Sequence, residues 1–212
     1  MSTVAVLDYG TSNLRSVAKA LEHVAGKSKR IIVTTDASVI RQAERLVFPG
    51  QGAIGQCMSQ LRQTGLADIV RETMGTRPFL GICLGLQSLM DASEEDGGQA
   101  CLGLVPGHVQ RFPEPADRHM KIPHMGWNQV WQQQAHPLWQ GIANGARFYF
   151  VHSYYVMPAD PANMAGSCDY IVEFAAAVAR NNLFATQFHP EKSQQDGLRL
   201  LANFLDWDGG IK

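Results

Sequence analysis

The sequence predicts an α/β fold, with a mostly parallel central sheet flanked by helices and an added antiparallel portion in the second half. Three observations lead there. In the first half, short apolar runs alternate with stretches of helical periodicity, the order that strand–helix–strand crossovers produce. Those runs are apolar at nearly every position, as in strands covered on both faces. In the second half, strand-like runs follow one another across turns. No internal repeat, low-complexity tract or linker interrupts the chain, so residues 1–212 are expected to form one domain.

The elements read in order as follows. "TVAVLD" (Thr3–Asp8) is a β-branched, apolar strand. Asn13 to Val24 places Leu14, Val17, Ala18, Leu21 and Val24 at helical spacing, with Ser12 as the N-cap. "RIIVT" (Arg30–Thr34) and "RLVF" (Arg45–Phe48) read as further short buried strands, and Ile54 to Met74 as two helices broken at Gly65. "RPFLGIC" (Arg77–Cys83) is the next strand, followed by a helix over "LGLQSLMDAS". Later come three strand-like stretches, "KIPHMGWNQVW" (Lys121–Trp131), "ARFYFVHSYYV" (Ala146–Val156) and "YIVEFAAAVARNNLFATQFHPE" (Tyr170–Glu191). Asn181-Asn182 in the last of these predicts a tight hairpin. Ser193 to Trp207 closes the chain as a helix with Leu200, Leu201 and Phe204 on one stripe.

A formal net charge of −1, with no basic run, argues against nucleic acid or an anionic membrane as partner. The N-terminus enters strand-like sequence without a charged leader or a long apolar segment, so the cytoplasm is the expected compartment. The four cysteines (Cys57, Cys83, Cys101, Cys168) are scattered, without zinc spacing or a disulfide pattern, and no metal is expected.

"RLVFPGQGAIG" (Arg45–Gly55) contains G-x-G-x-x-G at Gly50, Gly52 and Gly55, the spacing of a dinucleotide-binding turn. That motif belongs after the first strand, with an acid closing a second strand about 20 residues on. Here it follows a later strand and Asp68 falls in a helical pattern, so no cofactor is expected. The stronger signal is "FLGICLGLQ". Gly81-x-Cys83-x-Gly85 between a strand and a helix has the layout of a nucleophile elbow, with cysteine as nucleophile. The turn lifts the sulfur out of the sheet edge toward a helix N-terminus, which favours thiolate. A core cysteine does not require those glycines. "TQFHPEKS" supplies His189 as base and Glu191 as its orienting acceptor, since residues two apart in extended chain face one side. By elbow logic the Leu84 N–H is an oxyanion donor.

"GICLGLQ" together with "QFHPEKS" resembles the cysteine amidotransferases, whose glutaminase domains carry a Cys–His–Glu triad and a flavodoxin-like fold. "DYG…NLRSV", "PHMGWNQV" and "FYFVHSYY" narrow the resemblance to the glutaminase subunits of imidazole glycerol phosphate synthase, in order from Asp8 to Lys192. The resemblance implies that Cys83 forms a glutamyl thioester with L-glutamine, His189 transfers protons and Glu191 holds the imidazole. It further implies an oxyanion donor from the loop at Gln51 and Gly52, and a glutamine-binding role for Gln87 with Ser153 and Tyr154. The ammonia would pass to a cyclase (synthase) barrel in a heterodimer, yielding imidazole glycerol phosphate and an aminoimidazole carboxamide by-product in histidine biosynthesis. Thr11-Ser12, Gln51, Leu86 and Ile171 depart from the usual motifs without removing a triad member. Two other readings are a paralogue supplying ammonia for amidino sugars of surface polysaccharide, and a non-catalytic scaffold that docks on a synthase.

Overall fold

A computed structural model describes residues 2–10, 13–117 and 119–210; Thr11 and the expected N-cap Ser12 lie outside them. The strands are β1 (Ser2–Leu7), β2 (Lys29–Thr34), β3 (Arg45–Gly50), β4 (Phe79–Cys83), β5 (Ala92–Ser93), β6 (Gln99–Ala100) and β7 (Gly107–Arg111). They continue as β8 (His124–Gln129), β9 (Trp131–Gln132), β10 (Arg147–His152), β11 (Tyr154–Pro158), β12 (Met164–Asp169), β13 (Glu173–Arg180) and β14 (Leu183–Thr186). The helices are α1 (Leu14–Ala25), α2 (Ala37–Gln42), α3 (Ile54–Gln63), α4 (Leu66–Thr73), α5 (Leu84–Gln87) and α6 (Gln194–Asp206).

The main sheet runs β2-β1-β3-β4-β14-β13-β11-β7-β5-β6. Its first five strands are mutually parallel. β13 turns back antiparallel on β14 through Asn181-Asn182, and β11 and β7 continue antiparallel. β12 branches from β13 and carries β9, while β8 and β10 form a separate antiparallel ribbon.

Two cores lie on opposite faces of the parallel strands, and alternation along each strand feeds both. From β1, Val4 and Val6 join the core under α1 and α6, with Leu21, Leu200 and Phe204. Ala5 and Leu7 join the other, with Leu61, Leu66 and Val70 from α3 and α4. This explains why the strand sequence is apolar at nearly every position. Gly65 adopts φ 71° between α3 and α4, the left-handed conformation a break between helices uses.

Four expectations change. β2 is an edge strand, so "RIIVT" is only half-buried and Val33 is 40% exposed. The helix after Cys83 ends at Gln87. Leu89 and Met90 bond back to Leu86 and Gln87 in tighter i→i−3 turns, and Ala92–Ser93 then pairs with β7. The run Ala146–Val156 is not one strand: it breaks at Ser153, β10 entering the ribbon and β11 the main sheet. "KIPHMGWNQVW" likewise divides into β8 and β9. Sequence reading also missed β7, β12 and α2, although the Asp36 side chain caps α2 by accepting from the Ser38 N–H at 2.7 Å.

A buried polar chain ties the ribbon to the sheet. His152 Nδ1 lies 2.8 Å from the Tyr154 carbonyl, so it carries the proton and Nε2 accepts from His124 Nδ1 at 3.0 Å. His124 Nε2 then accepts from Asn128 Nδ2 at 3.3 Å, and the His124 ring stacks on Tyr170 at 4.0 Å between centroids. Burial holds the pKa of His124 down to about 4 and of His152 to about 3; His136, buried against Phe184 and Trp207, is likewise lowered to about 4.

Two outcomes follow from this packing. A Cβ at Gly85 would strike the Phe48 carbonyl oxygen, a backbone atom fixed in β3. Gly85→Ala is expected to lower stability by about 1–3 kcal/mol, read as the urea-unfolding midpoint. The lowered imidazoles set a pH dependence. Unfolded, these histidines take up protons near pH 6.5, which the folded state refuses until about pH 4. Their stabilisation is therefore present above pH 6.5 and lost as pH falls toward 4. Urea midpoints are expected to drop between pH 7 and 5, with each imidazole adding a slope of up to ~1.4 kcal/mol per pH unit. His124→Gln should flatten that slope.

Candidate active site

Cys83 ends β4 and caps α5 with φ 53° and ψ −107°, a positive φ that a non-glycine residue adopts at a cost. The neighbouring strands crowd it. A Cβ at Gly81 would sit 2.9 Å from Ala185 Cβ in β14. On the other side Gly50 is in register with Cys83, and a Cβ there would meet the Tyr9 hydroxyl and lie 2.9 Å from Leu84 Cβ. Gly50 thus serves close approach, and Gly52, at φ 102°, turns the chain. Because α5 is one turn long, the dipoles acting on the sulfur are those of its first-turn N–H groups.

The first-turn amides of α3 donate to carboxylates. Ile54 N–H reaches Glu95 Oε2 at 3.0 Å and Gly55 N–H reaches Asp96 Oδ2 at 3.3 Å. A dinucleotide pyrophosphate would need those same amides. Burial raises the pKa of Glu95, the charge of Asp96 adds to the rise, and the Ile54 N–H opposes it.

Cys83, Leu84, Gln87, Gln51, Gly52, Ser153, Tyr154 and His189 line one cavity of about 470 Å³. Every expected site residue therefore faces it except Glu191, which stands behind His189. The pair is buried, with side chains 1% and 0% exposed, and His189 Nδ1 lies 2.9 Å from Glu191 Oε1. Its local geometry differs from the extended alternation expected. His189 is extended, but Pro190–Lys192 is a 3-10 turn that folds the carboxylate back under the ring. The ring is held by its backbone, through His189 N–H to the Tyr149 carbonyl (2.9 Å) and Ser193 Oγ to the His189 carbonyl (2.6 Å).

Burial works to lower the His189 pKa, but the Cys83 sulfur and the Glu191 carboxylate outweigh it and raise it to about 10. Its contribution to stability is opposite in sign to that of the ribbon histidines: present below pH 6.5 and lost as pH rises toward 10. Nε2 has no hydrogen-bond partner among the described residues. The Cys83 sulfur is nonetheless close enough to raise the ring's pKa.

Several residues of the site escaped sequence reading. Asn13 Nδ2 donates to Glu191 Oε1 at 2.6 Å, so the carboxylate oxygen that holds His189 is itself held from the start of α1. Glu95, from the 3-10 turn Glu95–Gly97, lines the cavity together with Lys192 and Tyr149. Gln187 donates from Nε2 to Cys83 Sγ at 3.6 Å. Gln87 gives its amide nitrogen to the protein, at 2.9 Å from the Tyr154 carbonyl and 3.1 Å from Gln187 Oε1, which leaves its oxygen as the group to accept from a ligand.

The family model for class-I glutamine amidotransferases matches residues 5–207. The chain is 57% identical over 209 residues to the imidazole glycerol phosphate synthase subunit HisH of Nitrosococcus oceani, covering 99% of each chain. It is 55% identical over 212 residues to subunit HisH 1 of Pseudomonas aeruginosa, again over 99% of each. Among solved structures, one described as a glutamine amidotransferase superposes with a TM-score of 0.71 at 18% identity, covering 96% of this chain and 97% of that one. A structure from Thermoplasma acidophilum, described as part of a GMP synthase, gives 0.70 at 19%, covering 97% and 93%. At that identity the likeness is one of fold. Family model and sequence relatives together establish that the chain belongs to the class-I glutamine amidotransferases.

Proposed function

We propose that the chain is the glutaminase subunit of imidazole glycerol phosphate synthase, hydrolysing L-glutamine and handing the ammonia to a synthase partner in histidine biosynthesis. The observation that carries the chemistry is a buried His189–Glu191 pair beside a sulfur held at a strained strand-to-helix turn. The names of the curated relatives favour this acceptor over an amidino sugar. A cyclase barrel in a heterodimer is the partner this reading implies, and the cytoplasm the compartment. No helix among the described residues is long and apolar enough to cross a membrane.

The residues divide the work as follows. His189 Nε2 takes the proton from Cys83 Sγ, and the sulfur attacks the carboxamide carbon of glutamine. Carbonyl oxygen charge is met by the Leu84 N–H and by backbone of the Gln51–Gly52 loop. The C–N bond breaks as His189 returns the proton to nitrogen, releasing ammonia and leaving the glutamyl thioester. Water, deprotonated by His189, then frees glutamate and the thiol. Glu191 holds the ring throughout. Gln87 and Glu95 also line the cavity, as do Ser153 and Tyr154, and the Gln87 oxygen and the Glu95 carboxylate are acceptors suited to the substrate's α-ammonium.

Cys83→Ala is expected to abolish glutamine-dependent synthesis while synthesis from added ammonium salt continues, measured in the reconstituted complex. Glu95→Gln should raise KM for glutamine with less effect on kcat, because it acts on the bound end and not on the reacting carbon. The Gln51–Gly52 loop borders the active cavity on one side and a second cavity of about 210 Å³, floored by Tyr9 and Cys57, on the other. That space suits a loop whose N–H turns inward on activation. One oxyanion donor is worth roughly 10²–10³ in rate. Glutamate release by the chain alone is therefore expected to be slow, and to rise on binding a partner loaded with its own substrate. Equal rates would mean that the loop is only a turn.

A further inference from the structure

We infer that Gln187 is a catalytic residue, a side-chain donor to the nucleophilic sulfur; the inference rests on Cys83 being the nucleophile. Gln187 is fully buried, and its backbone N–H is fixed to the Ala176 carbonyl at 2.8 Å. Its Nε2 lies 3.6 Å from Cys83 Sγ, within hydrogen-bond range for sulfur.

The direction of that contact follows from a single main-chain oxygen. The Tyr154 carbonyl accepts from His152 Nδ1 at 2.8 Å and from the Gln87 side chain at 2.9 Å, which uses both its lone pairs. An amide oxygen facing that carbonyl would be repelled, so Gln87 turns its nitrogen there. The second N–H of the same nitrogen meets the Gln187 side chain at 3.1 Å, where only an oxygen can accept it. Gln187 is left with nitrogen toward the sulfur. The polarity of the whole chain, from Asn128 through His124 and His152 to the Tyr154 carbonyl, and from there through Gln87 to Gln187, is thus determined.

A donor in this position acts where charge changes. When the Cys83 proton moves to His189 Nε2, negative charge gathers on Sγ, and an N–H aimed at it strengthens as a charge-assisted bond. As the S–C bond forms, that charge passes to the carbonyl oxygen; it returns to sulfur when the thioester is hydrolysed. Gln187 neither gives up nor gains a proton in either step. It also aims the sulfur, because the amide group that grips it is fastened to Gln87, which lines the substrate cavity.

Two near-isosteric variants separate this role from a packing role. Gln187→Glu keeps the oxygen that accepts from Gln87 but replaces the donor with a second oxygen, whereas Gln187→Met removes both. A packing role places the Glu variant nearer the native chain; the catalytic role makes it the worse of the two. Iodoacetamide labelling of Cys83 in the full chain at about pH 8, located by mass spectrometry with Cys83→Ala as blank, is expected to slow in the order native, Met, Glu. The Met variant should lose about tenfold, with kcat in the partner complex falling in parallel, whereas the Glu variant, which keeps the acceptor for Gln87, should leave KM for glutamine nearly unchanged while kcat falls. Native-rate labelling in both variants, or a Glu variant faster than Met, overturns the role of Gln187 while leaving Cys83 in place. Failure of the native chain to label at Cys83 overturns the nucleophile and this role together.

Discussion

The structure is organised around the close approach of three backbones at Cys83. β4 runs between β3 and β14, and the chain must leave the sheet at its end, turn sharply and start a helix within one residue. Gly81 lets β14 close in, Gly85 lets the Phe48 carbonyl lie against α5, and Gly50 leaves room for the Tyr9 hydroxyl. With those three side chains reduced to hydrogen, the positive φ at Cys83 is held by its surroundings. Neighbouring strands then bring the rest of the site without long excursions. The loop after β3 arrives at Gln51 and the segment after β14 arrives at His189, each beside the sulfur because its strand is next to β4. Residues far apart in sequence meet because the parallel strands end at the same edge.

The electrostatics of the site and of the ribbon run in opposite directions although both are buried. Burial alone pushes an imidazole toward its neutral form, and His124 and His152, facing each other and ring faces, follow it. His189 is equally buried but faces a carboxylate on one nitrogen and a sulfur on the other, and those partners reverse the sign. Neutral rings make a directional polar chain; a ring set between a carboxylate and a sulfur holds its proton. Asn13 reinforces the second case by fixing the Glu191 oxygen that touches Nδ1.

Much of this was legible in sequence where a local pattern has a local cause. The parallel strands show as unbroken apolar runs, the Gly65 break and the Asn181-Asn182 hairpin as turn residues, and the elbow as glycines either side of Cys83. What stayed hidden depended on distant chain. Nothing near Arg30–Thr34 says that its strand lies at an edge, and nothing within "FVHSYY" says that consecutive residues join different sheets. Glu191 was found for a reason that did not hold: a 3-10 turn, not strand alternation, carries it under His189. Glu95, Asn13 and Gln187 enter the site from three separate segments, and each is an ordinary polar residue until the fold places it.

The break at Ser153 has a mechanical meaning. The ribbon presents Met125 and Trp127 outward, 63% and 37% exposed, and is a separate sheet from the one that holds Cys83. Yet its strand β10 continues after one residue into β11, and that residue, with Tyr154, forms wall of the cavity that Cys83 lines. The ribbon and the cavity wall are therefore joined through a single residue, Ser153. Whatever rests against the outer face of the ribbon is connected to that cavity through covalent chain, without having to reach inside it.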